Sequence, residues 1–235
     1  MTFRDRTHAG QLLAKKLERY AGTNALVLAL PRGGVPVGAE IARALSADLD
    51  IVIPRKIPAP GDPELAIGAV SSHGVLLNED LVRNLSVSSE YIREAVAKEK
   101  AEIERRSRLY RGAEPAPTIE GRTVIIVDDG VATGYTMLAA LRGARSQDPK
   151  RLVAAVPVAP PDSVPTLEAE ADEVVVLSTP VLFFAVGQFY EDFSQVSDEE
   201  VQDILARARR RRGAPQSSTD DSSRGKENTP KQSER

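Results

Sequence analysis

Short, continuous apolar runs recur along the chain, and most of them are followed by a loop and then a helical pattern. The runs have the length of strands, and they lie at 25–31, 49–57, 123–128, 152–157 and 173–178. Strands that are apolar at nearly every position are typical of a parallel sheet that is covered on both faces. The pattern therefore predicts a mainly parallel sheet with helices packed against each side.

The segments between these runs have the 3.6-residue spacing of helices. Helices are predicted at 5–21, 37–47, 78–85, 88–110, 134–145 and 161–170. A strand, loop, helix and strand in succession form a right-handed crossover between parallel strands. The predicted fold is α/β, a doubly wound, mainly parallel sheet flanked by helices.

The chain divides into a domain at 1–212, with its core at 25–180, and a tail at 213–235. Residues 58–74 are rich in proline and glycine and predict an irregular loop with one short strand-like stretch. Together with the two helices that follow, this loop forms an inserted lid and helical segment at 58–112. The tail has a single alanine and otherwise lacks aliphatic and aromatic residues, so we expect it to be disordered.

Composition narrows the possible functions. The 235 residues include no cysteine and two histidines, His8 and His73, which excludes disulfides and thiolate chemistry. Residues 207–235 hold nine basic and four acidic residues, whereas the remainder holds 22 basic and 30 acidic ones. An acidic body argues against nucleic-acid binding by the domain. No apolar run approaches the roughly 20 residues that span a bilayer, and no secretion signal is evident, so we expect a cytoplasmic protein without membrane partners.

Candidate chemistry is concentrated in VIIVDDGVATGYTM at 124–137. Asp128 and Asp129 end a buried strand, which is where parallel sheets bind ligands. The small and hydroxyl-bearing residues that follow open a helix, whose free N–H groups favour an anion. Carboxylates that accept hydrogen bonds from hydroxyl groups, next to a phosphate loop, predict a sugar-phosphate site.

Other nucleotide sites do not match this stretch equally well. GxxxxGK[ST] does not occur, which excludes a Walker-type loop, and GVATGYT lacks the GxGxxG spacing of dinucleotide-binding folds. A Mg²⁺-binding acidic pair of the receiver or phosphatase kind remains open.

VIIVDDGVATGYT closely resembles the phosphoribosyl pyrophosphate (PRPP) signature of type I phosphoribosyltransferases, chiefly in its adenine-type form. PRGG at 31–34 is similar to that family's pyrophosphate loop, and Arg55–Lys56 stands where the family often has a basic residue. The resemblance, which covers roughly residues 25–180, implies that PRPP arrives with Mg²⁺ held mainly by the substrate, with no metal site in the protein. It also implies a cis peptide between Pro31 and Arg32.

The resemblance implies a role for each matching residue. Asp128 and Asp129 would hold the ribose hydroxyls, and Arg32, Gly33 and Lys56 would meet the pyrophosphate. The 5′-phosphate would be wrapped by Ala132, Thr133, Gly134, Tyr135 and Thr136. Asp128, Asp129, Arg32 and Lys56 would be the catalytic set. The expected activity is transfer of a phosphoribosyl group from PRPP to a small-molecule acceptor, with release of pyrophosphate.

Two departures from the family leave the acceptor open. Ala132 and Arg142 stand where purine-specific members carry acids, so no purine specificity is implied, and His73 is one candidate for a base. Aromatic and aliphatic residues between Leu182 and Phe193 are open to stacking on a base or to packing in a core or homodimer contact. A PRPP-sensing regulator without turnover is the alternative function, and a domain for another sugar phosphate is the third.

Overall fold

The computed structural model describes residues 1–71 and 74–213. The strands are β1 Leu26–Ala29, β2 Asp48–Ile51, β3 Arg55–Ala59, β4 Asp62–Ser71, β5 Gly74–Leu77, β6 Thr123–Val127, β7 Arg151–Val158 and β8 Glu173–Ser178. The α-helices are α1 Arg6–Lys16, α2 Gly34–Leu45, α3 Glu79–Asn84, α4 Ser89–Arg111, α5 Tyr135–Arg145, α6 Val164–Glu168 and α7 Asp198–Gly213.

Five strands form a parallel sheet in the order β2-β1-β6-β7-β8. Successive residues of each strand enter opposite cores. In β1, Val27 and Ala29 face the core built by α1, α2 and α7, whereas Leu26 and Leu28 face the core built by α5 and α6. The predicted doubly wound α/β fold is confirmed, because helices cover both faces of an apolar sheet.

Side chains close several helix starts. Asp5 accepts a hydrogen bond from the backbone N–H of His8, at 2.6 Å, at the start of α1. Asn78 caps α3 and Ser88 caps α4 in the same way. These caps satisfy N–H groups that have no partner within the helix. They begin helices within one or two residues of the predicted positions.

The prediction of one strand at 49–57 was wrong, because the chain leaves the parallel sheet after Ile51 and β3 begins in a second sheet. Pro54 stands at the break, and proline has no backbone N–H to continue a ladder. Val52 and Ile53 are apolar because they are buried in the core, although they lie outside any strand.

The irregular loop predicted at 58–74 was also wrong, since β3, β4 and β5 form an antiparallel three-stranded sheet there. The short strand-like stretch predicted within it is confirmed, because it lies in β4. Gly61, with φ +78°, makes the tight turn from β3 to β4. Register shifts on both sides of Pro58 accommodate a residue that cannot donate a hydrogen bond. The small sheet packs against α4 and also contacts α5. The insertion therefore has a regular framework of its own.

Two predictions concern positions outside the described residues. One prediction concerns His73, and the other concerns the tail at 213–235. Of that tail only Gly213, the last residue of α7, is described. Within the described part of the chain, no helix is both long enough and apolar enough to cross a bilayer.

Candidate functional site

The crevice between β1 and β6 is the point where the chain reverses its winding. β1 and β6 are neighbours in parallel register, from Leu26 opposite Val124 to Ala29 opposite Val127. The chain after β1 enters α2 on one face, whereas the chain after β6 enters α5 on the other. Ligands of doubly wound proteins bind at such a switch point, beyond the carboxyl ends of the strands.

The loop after β1 lies directly against the carboxylates after β6. A Cβ added at Gly33 would overlap Oδ2 of Asp129 and lie 2.5 Å from its Cγ. A Cβ at Gly34 would lie 2.7 Å from the carbonyl oxygen of Val127 and 2.9 Å from Cα of Asp128. Gly33 has φ −60°, so the requirement for glycine comes from close approach rather than from backbone conformation. The PRGG loop and the acidic pair therefore form one crevice, and the peptide between Pro31 and Arg32 in that loop is cis, as the resemblance implied.

The acidic pair, Asp128 and Asp129, is partly buried, and its two carboxylates repel each other. Oδ1 of Asp128 accepts the backbone N–H of Asp129 at 2.9 Å. Burial raises the pKa of Asp128 well above its usual value, and repulsion from Asp129 adds to the effect. Burial also raises the pKa of Asp129, although the nearby guanidinium of Arg6 opposes the shift. Two adjacent carboxylates in such a place require hydrogen-bond donors or cations around them.

Arg6 supplies one of these cations, and the sequence patterns did not single it out. Its Nε donates to Oδ2 of Asp129 at 2.8 Å, and both side chains are nearly enclosed, at 12% and 14% exposure. Its Nη1 donates to the carbonyl of Ser194 at 2.7 Å, and its guanidinium lies 3.9 Å from the centre of the Phe193 ring. The hydroxyl of Tyr190 donates to the carbonyl oxygen of Asp129 at 2.6 Å.

The loop before α5 presents an open helix start. Ala132, Thr133, Tyr135 and Thr136 are exposed. Gly134, with φ +81°, occupies the cap position and has no side chain to satisfy the first N–H groups of the helix. Free N–H groups at a helix start, with hydroxyls beside them, suit a phosphate group.

Backbone contacts outside the crevice hold this loop in place. The N–H of Val131 donates to the carbonyl of Val158 at 2.9 Å, and Oγ of Ser163 donates to the carbonyl of Ala132 at 3.0 Å. The open helix start is thus fixed from the side that faces β7.

Arg32 lines a basic cavity of about 370 Å³. Its Nη1 lies 3.8 Å from Oδ1 of Asp198, which also accepts the hydroxyl of Tyr110 at 2.6 Å. Burial and then this hydrogen bond raise the pKa of Tyr110 to about 12. The cavity is lined by Pro31, Arg32, Ile53, Arg105, Arg106, Leu109, Tyr110 and Asp198. Three guanidinium groups and one acid line the cavity, and Glu102 pairs with Arg105 and Arg106 from outside it, so a small excess of positive charge remains.

Other predicted residues lie elsewhere or have other partners. Lys56 is exposed on β3, opposite Ala69. Arg142 pairs with Glu170 at 2.6 Å, which is the role of a surface ion pair. Among the described residues, no group of three or more His, Cys, Asp or Glu is placed to hold a metal ion.

The aromatic cluster predicted between Leu182 and Phe193 is divided. Phe189 and Tyr190 are buried and pack with Phe3 in a small core. Leu182 and Phe184 are exposed, at 73% and 87%. Part of the cluster is thus core, and part is an exposed apolar surface after β8.

The fold and the crevice define a class of doubly wound α/β protein with a candidate ligand site at a switch point. Residues 6–193 match the family described as "Phosphoribosyl transferase domain". The chain therefore belongs to this family, of the type I kind whose signature it resembles.

Two relatives illustrate the similarity. The chain is 45% identical over 209 residues to a Mycobacterium tuberculosis protein named "Putative phosphoribosyl transferase", an alignment that covers 88% of this chain but 47% of the relative. The chain thus spans about half the length of that protein. The crystal structure of TT1426 from Thermus thermophilus is 45% identical, with a TM-score of 0.80, over 88% of this chain and 99% of the other.

Proposed function

We propose that the protein is a phosphoribosyltransferase that binds PRPP with Mg²⁺, transfers the phosphoribosyl group to a small acceptor with a nucleobase-like nitrogen, and releases pyrophosphate. The observation that carries the proposal is the packing of Gly33 and Gly34 onto the acidic pair. This contact brings a basic loop onto a carboxylate pair that comes just before the open start of α5 in the chain, which supports one shared ligand. Each of these groups suits a different part of PRPP.

The ribose and the 5′-phosphate occupy the β6 side of the crevice in this proposal. Asp128 and Asp129 accept hydrogen bonds from the two ribose hydroxyls, since ionised carboxylates have several acceptor positions. The exposed loop from Ala132 to Thr136 binds the phosphate through backbone N–H groups and the two threonine hydroxyls.

The pyrophosphate occupies the β1 side. Arg32 and Gly33 meet it first, and the cavity shared by Arg32, Arg105 and Arg106 offers further positive charge. Lys56 on β3 is a further basic group of the insertion that we assign to this end.

The proposed reaction is a displacement at C1 of the ribose. The bond between C1 and the pyrophosphate oxygen breaks with its electron pair on oxygen, while the acceptor nitrogen supplies the pair for the new C1–N bond. The proton of the acceptor nitrogen passes to water or to the departing pyrophosphate. Positive charge develops on the ribose near the acidic pair, and negative charge develops on the pyrophosphate near Arg32.

Magnesium fits this site as an ion that would enter bound to the substrate. Carboxylate oxygens are ligands of the kind that Mg²⁺ prefers, but among the described residues no group of three or more His, Cys, Asp or Glu is placed to hold the ion. We therefore assign the cation to the oxygens of PRPP and to water. Bound there, it supplies charge neutralisation on the leaving pyrophosphate.

The small sheet of β3, β4 and β5 is proposed to close over the substrate as a lid, within a single domain at 1–212. The small sheet contacts α5, which is the helix that follows the proposed phosphate loop. The exposed Leu182 and Phe184 are the proposed apolar contact for a flat acceptor or for a second copy in a homodimer. We propose a cytoplasmic location and no nucleic-acid partner for the domain.

A PRPP-binding regulator without turnover is the second candidate. The observation in its favour is that the two positions where relatives of known purine specificity carry acids offer none here. Ala132 has no titratable group, and Arg142 is engaged by Glu170. Binding would then persist while proton removal from an acceptor would not.

Calorimetric titration with PRPP and Mg²⁺, followed by a panel of acceptors assayed for pyrophosphate release, tests the proposal. We expect binding, and poor or absent turnover with hypoxanthine and guanine, whose reaction is aided by an acid or base that Ala132 lacks. Replacing both Asp128 and Asp129 by asparagine should weaken PRPP binding by about tenfold or more, since hydrogen bonds to charged groups contribute about 1.5–3 kcal/mol each.

Glu79→Gln with Asp80→Asn is the matched control, because it removes two adjacent exposed acids at the start of α3. Equal loss of binding in both double variants would make the effect one of net charge and would sink the assigned site. Binding without turnover across the panel would favour the regulator, and no binding of PRPP would favour a different sugar phosphate.

A further inference from the structure

Arg6 combines three contacts that converge on the acidic pair from a distant part of the chain. It lies on the first turn of α1 and reaches Asp129, 123 positions further on. Its second hydrogen bond goes to a backbone carbonyl, that of Ser194, and its flat face covers Phe193. The guanidinium therefore has fixed partners on three sides.

The geometry leaves Asp129 able to bind a ligand while Arg6 stays in place. Arg6 uses one N–H group on one oxygen, Oδ2. A carboxylate has about four acceptor positions, so a single donor leaves capacity for ribose hydroxyls. The backbone carbonyl of Asp129 is held in turn by the hydroxyl of Tyr190, which fixes the residue from its other end.

The two carboxylates of the pair differ in the donors that they meet. Asp129 accepts from the charged guanidinium of Arg6, whereas Asp128 accepts from the backbone N–H of Asp129, a neutral donor. A proton shared by the pair is therefore expected to reside on Asp128, while Arg6 favours the ionised form of Asp129. Because the two carboxyl groups interact, each pKa observed in a titration should describe the pair rather than one residue alone.

We propose that Arg6 is a positioning residue of this site: it holds Asp129 as a charged, fixed hydrogen-bond acceptor for the ribose hydroxyls and remains there when the ligand binds. This inference deepens the proposed function and rests on it for the identity of the ligand. A competing explanation of the same contact is that Arg6 fills the place of the ligand and must leave. A third is that it only attaches α1 to the sheet.

The groups that govern this titration come from three segments packed around Asp129. They are Arg6 from α1, Asp128 at the end of β6, and Tyr190 from the segment after β8. Asp192 lies on the same late segment, where hydrogen bonds from Ser194 and, to a smaller extent, the charge of Arg6 lower its pKa. Arg32 lies next to Gly33, but its guanidinium is directed toward Asp198.

The experiment compares the full-length wild type with Arg6→Gln and Arg6→Lys. Arg122→Gln is the control, because Arg122 pairs with Asp48 at 2.8 Å with similar enclosure and also donates to backbone carbonyls. Two readouts are taken over a range of pH. One is the ¹³Cγ chemical shift of Asp129, which reports its ionisation without a ligand, and the other is calorimetric affinity for PRPP with Mg²⁺.

We expect Arg6→Gln to move the ionisation of Asp129 to higher pH, with Arg6→Lys between it and the wild type. Arg122→Gln should leave the ionisation unchanged. Affinity for PRPP should fall in Arg6→Gln on the order of tenfold or more at mildly acidic pH, and recover in part as the pH rises.

Two results would overturn the inference, and a third separates it from the proposed function. Tighter PRPP binding by Arg6→Gln would show that Arg6 competes with the ligand. If Asp129 titrates in Arg6→Gln as it does in the wild type, and the variant loses only stability, as Arg122→Gln should, then Arg6 does no more than attach α1 to the sheet. If the wild type does not bind PRPP, the proposed function fails, while the ¹³C titration still decides whether Arg6 sets the charge of Asp129.

Discussion

Replacing Gly33 by alanine should disable the site while leaving the fold largely intact. The backbone at this position, with φ −60°, accepts alanine without strain, so the effect is steric. The added Cβ would lie 2.5 Å from Cγ of Asp129, whereas ordinary van der Waals contact begins at 3.4 Å. The carboxyl group must therefore retreat by roughly 1 Å, or the loop must move by a similar distance.

Either movement separates groups that the site needs together. Retreat of the carboxylate breaks its 2.8 Å hydrogen bond to Nε of Arg6, a charge-assisted contact that contributes about 1.5–3 kcal/mol. Because this ion pair is part of the fold, we expect a stability loss of about 1–3 kcal/mol, the usual range for one extra methyl group in a packed place. For a domain of this size, each kcal/mol lowers Tm by roughly 2–4 °C.

The assay pairs urea unfolding with calorimetric titration of PRPP and Mg²⁺. We expect Gly33→Ala to lose PRPP affinity by about tenfold or more, since a displaced Asp129 no longer meets the ribose hydroxyls. Gly34→Ala provides the contrast, because its Cβ would press on the backbone at Val127 and Asp128, which no side-chain rotation can relieve. Gly34→Ala should therefore lose more stability than Gly33→Ala.

Two outcomes would refute this reasoning. Normal PRPP affinity in a folded Gly33→Ala protein would mean that the position of Asp129 does not matter to the ligand. A smaller stability loss in Gly34→Ala than in Gly33→Ala would mean that the loop is not packed against β6 as described.

The remaining predictions concern charge. Burial raises the folded pKa of Asp128 above its unfolded value of about 3.9, so the carboxyl group favours folding below that pH and loses this contribution as the pH rises through its folded pKa. Asp128→Asn should therefore stabilise the protein increasingly as the pH rises above about 3.9. Urea midpoints measure this, with Asp80→Asn, an exposed carboxylate that pairs with Arg83, as the control; a difference that shrinks with rising pH would contradict the sign. Arg105→Gln with Arg106→Gln should weaken binding of pyrophosphate with Mg²⁺, because both side chains line the cavity of Arg32, although both also pair with Glu102. Arg93→Gln with Arg108→Gln, which removes two exposed arginines of the same helix, should not, and equal losses in the two double variants would show that only net charge matters.

The parallel sheet and its loops could be predicted because their signals are local. A continuous apolar run such as Val124–Val127 identifies a buried strand without knowledge of its neighbours. The position of Asp128 and Asp129 at the end of that run follows from chain order alone. The glycines at 33 and 34 could be assigned to a loop, although their contact with the acidic pair depends on which strands are neighbours.

The small antiparallel sheet escaped prediction because its residues resemble a loop. Pro58, Pro60 and Gly61 are the strongest local signals of irregular structure. Here the two prolines lie at a register shift and next to a tight turn, positions where a missing N–H group does no harm. Packing against α4 and α5 then outweighs local preference, as tertiary contacts often do for strands.

The counter-ions of the site could not be predicted, because each pair joins distant parts of the sequence. Arg6 meets Asp129, and Arg32 meets Asp198, so the terminal helices α1 and α7 each bring one charge to the crevice. No spacing rule connects residues that far apart, and an arginine in a first helical turn otherwise looks like a solvated side chain. The two contacts have different consequences, however. The ion pair of Arg6 is enclosed and supported by a ring and a carbonyl, so it can persist with a ligand present. The contact of Arg32 is long, at 3.8 Å, and its partners are more exposed, so an incoming pyrophosphate can take the guanidinium from Asp198 at small cost.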